Sequence, residues 1–184
     1  MKPFDRYLQK VRIRYAEKFI RKNDIVFDIG CSDGALFKKL SNKIKYGYGI
    51  DPDLIKPVIT DTYELIPGTF PDVYPRGVKF NVVTLLAVLE HFPPGLFNEL
   101  NKTIYKLLKP GGRIIITVPS PQVDYILNLL LKLRLIDGMD TDAHYGFNPN
   151  KTVSIFSNGF KLIKKKRFQF GLNNLFVFEK TERE

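Results

Sequence analysis

The chain has 184 residues, 44% of them hydrophobic, and a formal net charge of +10. That length suits one domain, spanning 1–184, with a core large enough to fold alone. The single cysteine excludes an internal disulfide framework, no apolar run is long enough to span a bilayer, and Met1-Lys2-Pro3-Phe4-Asp5 lacks the apolar core of a signal peptide, so a cytoplasmic location is expected.

The charge is localised. Residues 1–24 carry eight Lys and Arg against three Asp and Glu, and 161–167 carry five against none, so these two segments hold the whole excess. The first reads as a helix with an apolar stripe of Phe4, Leu8, Val11, Tyr15 and Phe19, leaving Arg6, Lys10, Arg14, Lys18 and Arg21 for the wet side. Ile25 to Ile29 follow as a β-branched and aromatic strand covered on both faces. The strand breaks at Gly30-Cys31-Ser32-Asp33-Gly34 into a helix near 34–42, where Ala35, Leu36 and Leu40 recur at helical spacing. Gly30 lets the backbone leave the strand in a conformation that a Cβ resists, and Gly34 allows close approach at the helix start.

A second strand, 46–50, ends in Asp51-Pro52 about twenty residues after the loop, where doubly wound folds use a carboxylate to accept both ribose hydroxyls. A shortened helix is expected near Pro52 to Val58. The third strand has two registers: one ends at the acid Asp61, the other is Tyr63-Glu64-Leu65-Ile66-Pro67, with Thr69 and Phe70 beside an adenine. The second leaves a shorter connection to Phe80 and is adopted, making Asp61 a solvated loop acid. Strands at 80–86 and 113–118, helices at 95–108, 121–136 and 149–157, and strands at 160–168 and 173–179 complete the order. The last connection is too short for a crossover and reads as a hairpin. The fold class is therefore α/β: a doubly wound, mostly parallel seven-stranded sheet with an antiparallel C-terminal hairpin strand and helices on both faces.

Charge points to the ligand of the glycine loop. A dinucleotide loop seats a pyrophosphate, yet here Asp28 ends the strand and Asp33 lies in the loop, and two carboxylates repel phosphates. They suit a phosphate-free ligand with cationic groups, such as the sulfonium and ammonium of S-adenosylmethionine. Asp28-x-Gly30-x-Ser32-x-Gly34 resembles the glycine-rich first motif of the Rossmann-like (class I) S-adenosylmethionine-dependent methyltransferases, with Ser32 where one glycine is usual. Phe80 to Phe92, a strand running into Leu89-Glu90-His91, is similar to that family's fourth motif, and Leu107 to Pro119, with its Pro110-Gly111-Gly112 turn, resembles the segment after it. The resemblance covers roughly Ile25 to Pro119. It implies a methyltransferase whose donor S-adenosylmethionine is held by Asp28, Gly30, Cys31, Ser32, Gly34, Asp51, Pro52, Thr69, Phe70, Leu86 and Ala87. Cys31 is read as a small buried residue whose backbone matters, not as a nucleophile.

On the acceptor side, Glu90 and His91 are either a catalytic pair or a buried brace of the turn after the fourth strand, and the bracing role is favoured. No metal is expected, since Ala87 stands one turn before the pair where some relatives place a Glu. His144 is the first candidate general base, with His91 and Glu90 behind it; its alternative is a loop histidine bonded to backbone. Segment 120–158 is read as a helical insertion covering the active site. Its helix is apolar nearly all round, which suits a lid, a dimer contact or a surface for an apolar substrate, and lid packing is preferred.

The expected function is in-line methyl transfer to a small-molecule, lipid or sugar-type acceptor. An RNA methyltransferase using the two basic segments, and an inert module that keeps the cofactor fold, are the alternatives. Nucleic acid is the less favoured partner, because Lys161, Lys164, Lys165, Lys166 and Arg167 sit on a strand expected near the sheet edge, where lysines also discourage edge pairing.

Overall fold

The computed structural model describes residues 3–120 and 147–182. Helix α1 (Pro3–Glu17) leads into β1 (Ile25–Ile29), α2 (Ala35–Leu40), β2 (Tyr46–Asp51), β3 (Val58–Ile59), β4 (Tyr63–Pro67) and β5 (Phe80–Leu86). Then follow α3 (Phe97–Leu107), β6 (Leu108–Pro119), a short helix α4 (Lys151–Ile155), β7 (Phe160–Phe168) and β8 (Asn173–Lys180). The strands form one sheet in the order β3-β4-β2-β1-β5-β6-β8-β7. Strands β4, β2, β1, β5 and β6 are parallel, while β3, β8 and β7 each pair antiparallel to their neighbours.

Eight strands replace the seven expected, because β3 is a two-residue strand where a shortened helix was predicted. Residues 52–57 form turns and bends, with Pro52 and Pro57 removing two backbone donors from a stretch too short to nucleate a helix. Asp61 is exposed in the tight turn between β3 and β4, in keeping with the adopted register.

Alternation along the strands splits the core in two. Phe27, Ile29, Val83, Leu85, Ile114, Ile116, Phe176 and Phe178 face α3 and α4, and Val26, Val82, Ile115, Leu175 and Val177 face α1 and α2. The buried line of the first helical segment runs through Ile13, Ala16 and Ile20, while Val11, Tyr15 and Phe19 are its half-buried flank. The line is displaced from the predicted stripe because Tyr15 leans sideways onto the edge strand, stacking on Phe168 with ring centroids 4.2 Å apart. Arg6, Lys10, Arg14, Lys18 and Arg21 are all exposed, as expected.

At the edge of the sheet where the parallel strands begin, Arg113 and Asp24 are both about 5% exposed and form an ion pair at 3.0 Å. Arg113 also donates to the carbonyl of Phe19 at 2.5 Å, and the Arg21 amide donates to Asp24 at 2.7 Å. This network ties the end of the first helical segment to β6.

Candidate functional site

At the opposite edge, the parallel strands end. Asp28 is the fourth residue of β1 and lies in register with Thr84 of β5, whose hydroxyl donates to Asp28 Oδ1 at 2.5 Å. The carboxyl is only 4% exposed, and burial pushes its pKa up to about 7, with the nearby charge of Asp51 adding to the rise and the Thr84 hydrogen bond opposing it. Among the described residues no cation pairs with it. A buried acid with only a neutral donor is poised to ionise when a positive ligand arrives.

The loop after β1 is shaped by three contacts. The amides of Gly30 and Cys31 both donate to the carbonyl of Ile50, at 2.8 and 3.1 Å, and lock the loop to the end of β2. Gly30 has φ 75, and a Cβ there would run into the Val88 side chain, so the loop packs directly on the turn after β5. Ser32 takes φ 47 and donates its amide to Asp51 Oδ2 at 2.7 Å. Asp51 Oδ1 accepts from the Asp53 amide at 3.0 Å, so each carboxylate oxygen keeps a lone pair for a hydroxyl.

The acidic pair therefore differs from the one read in the sequence. Asp33 is exposed and ion-paired with Lys38 at 3.5 Å, and the carboxylate whose charge raises Asp28 is Asp51, brought there by the pairing of β1 with β2. Cys31 is 3% exposed, and burial followed by the charges of Asp28 and Asp51 pushes its thiol far up, which leaves it unreactive.

Leu86 and Ala87, half-buried, close the third side; Ala87 has φ 61, and its amide donates to the Thr117 carbonyl at 2.8 Å. Pro52 and Thr69 are exposed beside Asp51, and the Gly68 amide donates to the Asp51 carbonyl at 3.2 Å. Phe70 is 2% exposed with its ring edge-on to Phe27, so this segment offers a ligand Thr69 and backbone while the Phe70 ring belongs to the core. Asp28, Gly30, Cys31, Ser32, Gly34, Asp51, Leu86 and Ala87 are thus gathered at the ends of three neighbouring strands.

Glu90 and His91 lie in a one-turn 3-10 helix, Leu89–His91. Glu90 is buried and His91 exposed, so they are not the buried pair expected; the tight turn sends successive side chains to different sides. His144 and the helix expected at 121–136 lie outside the described residues, as does most of the insertion read at 120–158. Among the described residues no group of three His, Cys, Asp or Glu gathers for a metal. Sequence reasoning missed Thr84 and the Asp24–Arg113 pair. A threonine within the apolar run of β5 was the available signal for the first, but the register that sets it against Asp28 is a tertiary fact.

Comparison with known proteins adds three findings. The family described as methyltransferase domain matches residues 3–160. A probable cobalt-precorrin-6B C(15)-methyltransferase (decarboxylating) of Methanothermobacter thermautotrophicus is 27% identical over 148 residues, covering 75% of this chain and 69% of that protein. A solved N-methyltransferase, NodS from Bradyrhizobium japonicum in complex with S-adenosyl-L-homocysteine, superposes with a TM-score of 0.63 at 15% identity, covering 98% of this chain and 89% of that one.

Proposed function

Given that the chain belongs to the methyltransferase-domain family, as an S-adenosylmethionine-dependent enzyme of the class I fold, we propose that it methylates a small-molecule, lipid or sugar-type acceptor by in-line transfer. The observation that carries the donor side is the buried Asp28 with no cationic partner among the described residues. Asp28 balances the positive charge of the donor, the loop from Gly30 to Gly34 lies along it, and Asp51 accepts from the ribose hydroxyls with its remaining lone pairs. Leu86 and Ala87 bound the methionine end, and Pro52 and Thr69 flank the nucleoside. The cobalt-precorrin acceptor of one relative agrees with a small-molecule acceptor.

The bound donor supplies an electrophilic methyl: as the acceptor's lone pair forms its bond to carbon, the carbon–sulfur bond breaks and sulfur keeps the electron pair. The protein's part is positioning, which can supply about 7–11 kcal/mol of the barrier. Where the acceptor must lose a proton, His144 is the proposed base with the exposed His91 behind it, and the buried Glu90 braces the turn after β5. The experiment is a screen of acceptor classes with labelled methyl donor. Label transferred to a hydroxyl- or amine-bearing small molecule, lipid or sugar supports the proposal, and transfer only to RNA contradicts it. His144→Ala should lower transfer while leaving donor affinity nearly unchanged.

A further inference from the structure

We propose that the corner of the sheet formed by α1, β7 and the turn after β7 docks on an anionic lipid bilayer, with Phe170 entering the interface and the cations of α1 and β7 contacting lipid phosphates. Docking is a property of the surface and does not depend on the acceptor's identity.

The two basic segments, far apart in sequence, meet in space. Lys18 of the first segment and Lys166 of β7 both lie over the ring of Tyr15, with Nζ 5.1 and 5.3 Å from its centroid. Along the first segment Arg6, Lys10, Arg14 and Lys18 are exposed at i,i+4 spacing, an arrangement that like-charge repulsion disfavours unless a counter-charge faces it. Strand β7 adds Lys164, Lys165, Lys166 and Arg167, all exposed. No salt bridge among the described residues neutralises any of these side chains.

The apolar component lies at one edge. Phe168 of β7 and Pro119 of β6 both pair with Asn173, so the turn after β7 sits where the parallel strands end. That turn carries Phe170, whose ring is fully exposed. It is a built presentation. Gln169 and Phe170 both take left-handed φ values, 52 and 55, costly for residues with a Cβ. The turn is held from below by Ser120, whose amide and hydroxyl donate to Leu172 and Gly171 carbonyls at 2.8 and 2.6 Å, and by the 2.6 Å bond from Asn173 to Gln169. Gln9 reaches Asp33 in the glycine loop at 3.4 Å, which places the N-terminal half of α1 at the same edge.

A bilayer fits this surface better than a polynucleotide. Lys166 faces α1, whereas Lys165 faces the other way, over the ring of Phe176 and 3.4 Å from Asn150, so cations surround an apolar tip on both faces of the strand. An interfacial anchor has that form, with cations reaching phosphates around an inserted ring. A single-strand channel instead sets cations and stacking rings along one face.

The test is flotation of the full chain with phosphatidylcholine vesicles, with and without phosphatidylglycerol, and with a single-stranded oligoribonucleotide in parallel. The expected result is partition onto the anionic vesicles alone, weakened by salt. Phe170→Ser should reduce it tenfold or more, and Lys164→Ser and Arg167→Ser about fivefold for each charge removed, with S-adenosylhomocysteine affinity kept in all three. Absence of partition onto anionic vesicles overturns the proposal, as does partition that these variants leave unchanged. Oligoribonucleotide binding lost in the same variants, without vesicle binding, overturns it in favour of RNA.

Discussion

Asp24, just before β1, and Asp28, near its far end, are almost equally buried and of identical chemistry, yet their surroundings differ in kind. Asp24 meets a guanidinium at 3.0 Å and a backbone amide, so the fold itself compensates its charge. Asp28 meets a neutral hydroxyl and the field of a second carboxylate, and burial holds its pKa near 7. The lesson is that burial alone does not mark a functional acid. A buried charge whose partner is in the chain stabilises a fold, and one with no such partner among the described residues is a candidate to meet the charge of a ligand.

The sharpest way to break this comparison is to remove the partner at the structural end. Arg113→Ala leaves Asp24 buried without its counter-ion and is expected to cost about 3–5 kcal/mol in urea unfolding. A loss under about 1 kcal/mol would mean that Asp24 is held by the Arg21 amide alone.

At the other end the sign reverses. Because the folded pKa of Asp28 lies above the ordinary aspartate value of 3.8, the carboxyl's contribution to stability is fully present below pH 3.8 and is lost as pH rises through about 7. Asp28→Asn should therefore make the ligand-free protein more stable than the native one above pH 7, by a few kcal/mol, while weakening donor binding. Parallel thermal melts at pH 5 and pH 8 check it, with a native-minus-variant difference that does not move with pH as the contrary result.

Asp51→Ala sharpens the picture of the second carboxylate. Charged hydrogen bonds to the ribose predict an affinity loss of about 1.5–3 kcal/mol by calorimetry. Part of that loss comes through Ser32, whose amide Asp51 accepts, so Asp51→Asn should fall between native and Ala. The smallest effect belongs to Ser32→Gly. It relieves a left-handed φ of 47 but loosens the unfolded chain, and the two should cancel to within about 1 kcal/mol with donor binding kept.

The fold was legible wherever hydrophobic period and turn residues agreed. Strands β1, β4, β5 and β7 occupy the predicted positions: β1, β4 and β5 are compact runs rich in β-branched, aromatic or leucine residues, and β7 is a basic strand set off by Gly159 before it and the turn through Gly171 after it. Two residues, Val58 and Ile59, were too few to give a period, and their pairing with Leu65 and Glu64 depends on where β4 lies. In the site, spacing singled out Asp51, the strand-to-turn break singled out Gly30, and charge with the resemblance to the glycine-rich motif singled out Asp28; the structure brings the three together at the strand ends. The exchange of Asp33 for Asp51 as the neighbour of Asp28 was not, since it follows from the parallel pairing of β1 with β2 and from the local claim of Lys38 on Asp33. Thr84 and the Asp24–Arg113 pair are register facts of the same kind, joining residues 56 and 89 positions apart.

The central claim is that Asp28 waits, largely protonated below pH 7, for the positive charge of the methyl donor. Titration calorimetry of S-adenosylmethionine in two buffers of different ionisation enthalpy measures the protons released on binding, and subtraction of the Asp28→Asn variant removes the ligand's own titration. The native protein should release close to one extra proton at pH 6, about half at pH 7 and little at pH 8, with donor affinity rising over the same range. Equal proton release by native and variant protein at pH 6, with equal affinity, would contradict the account.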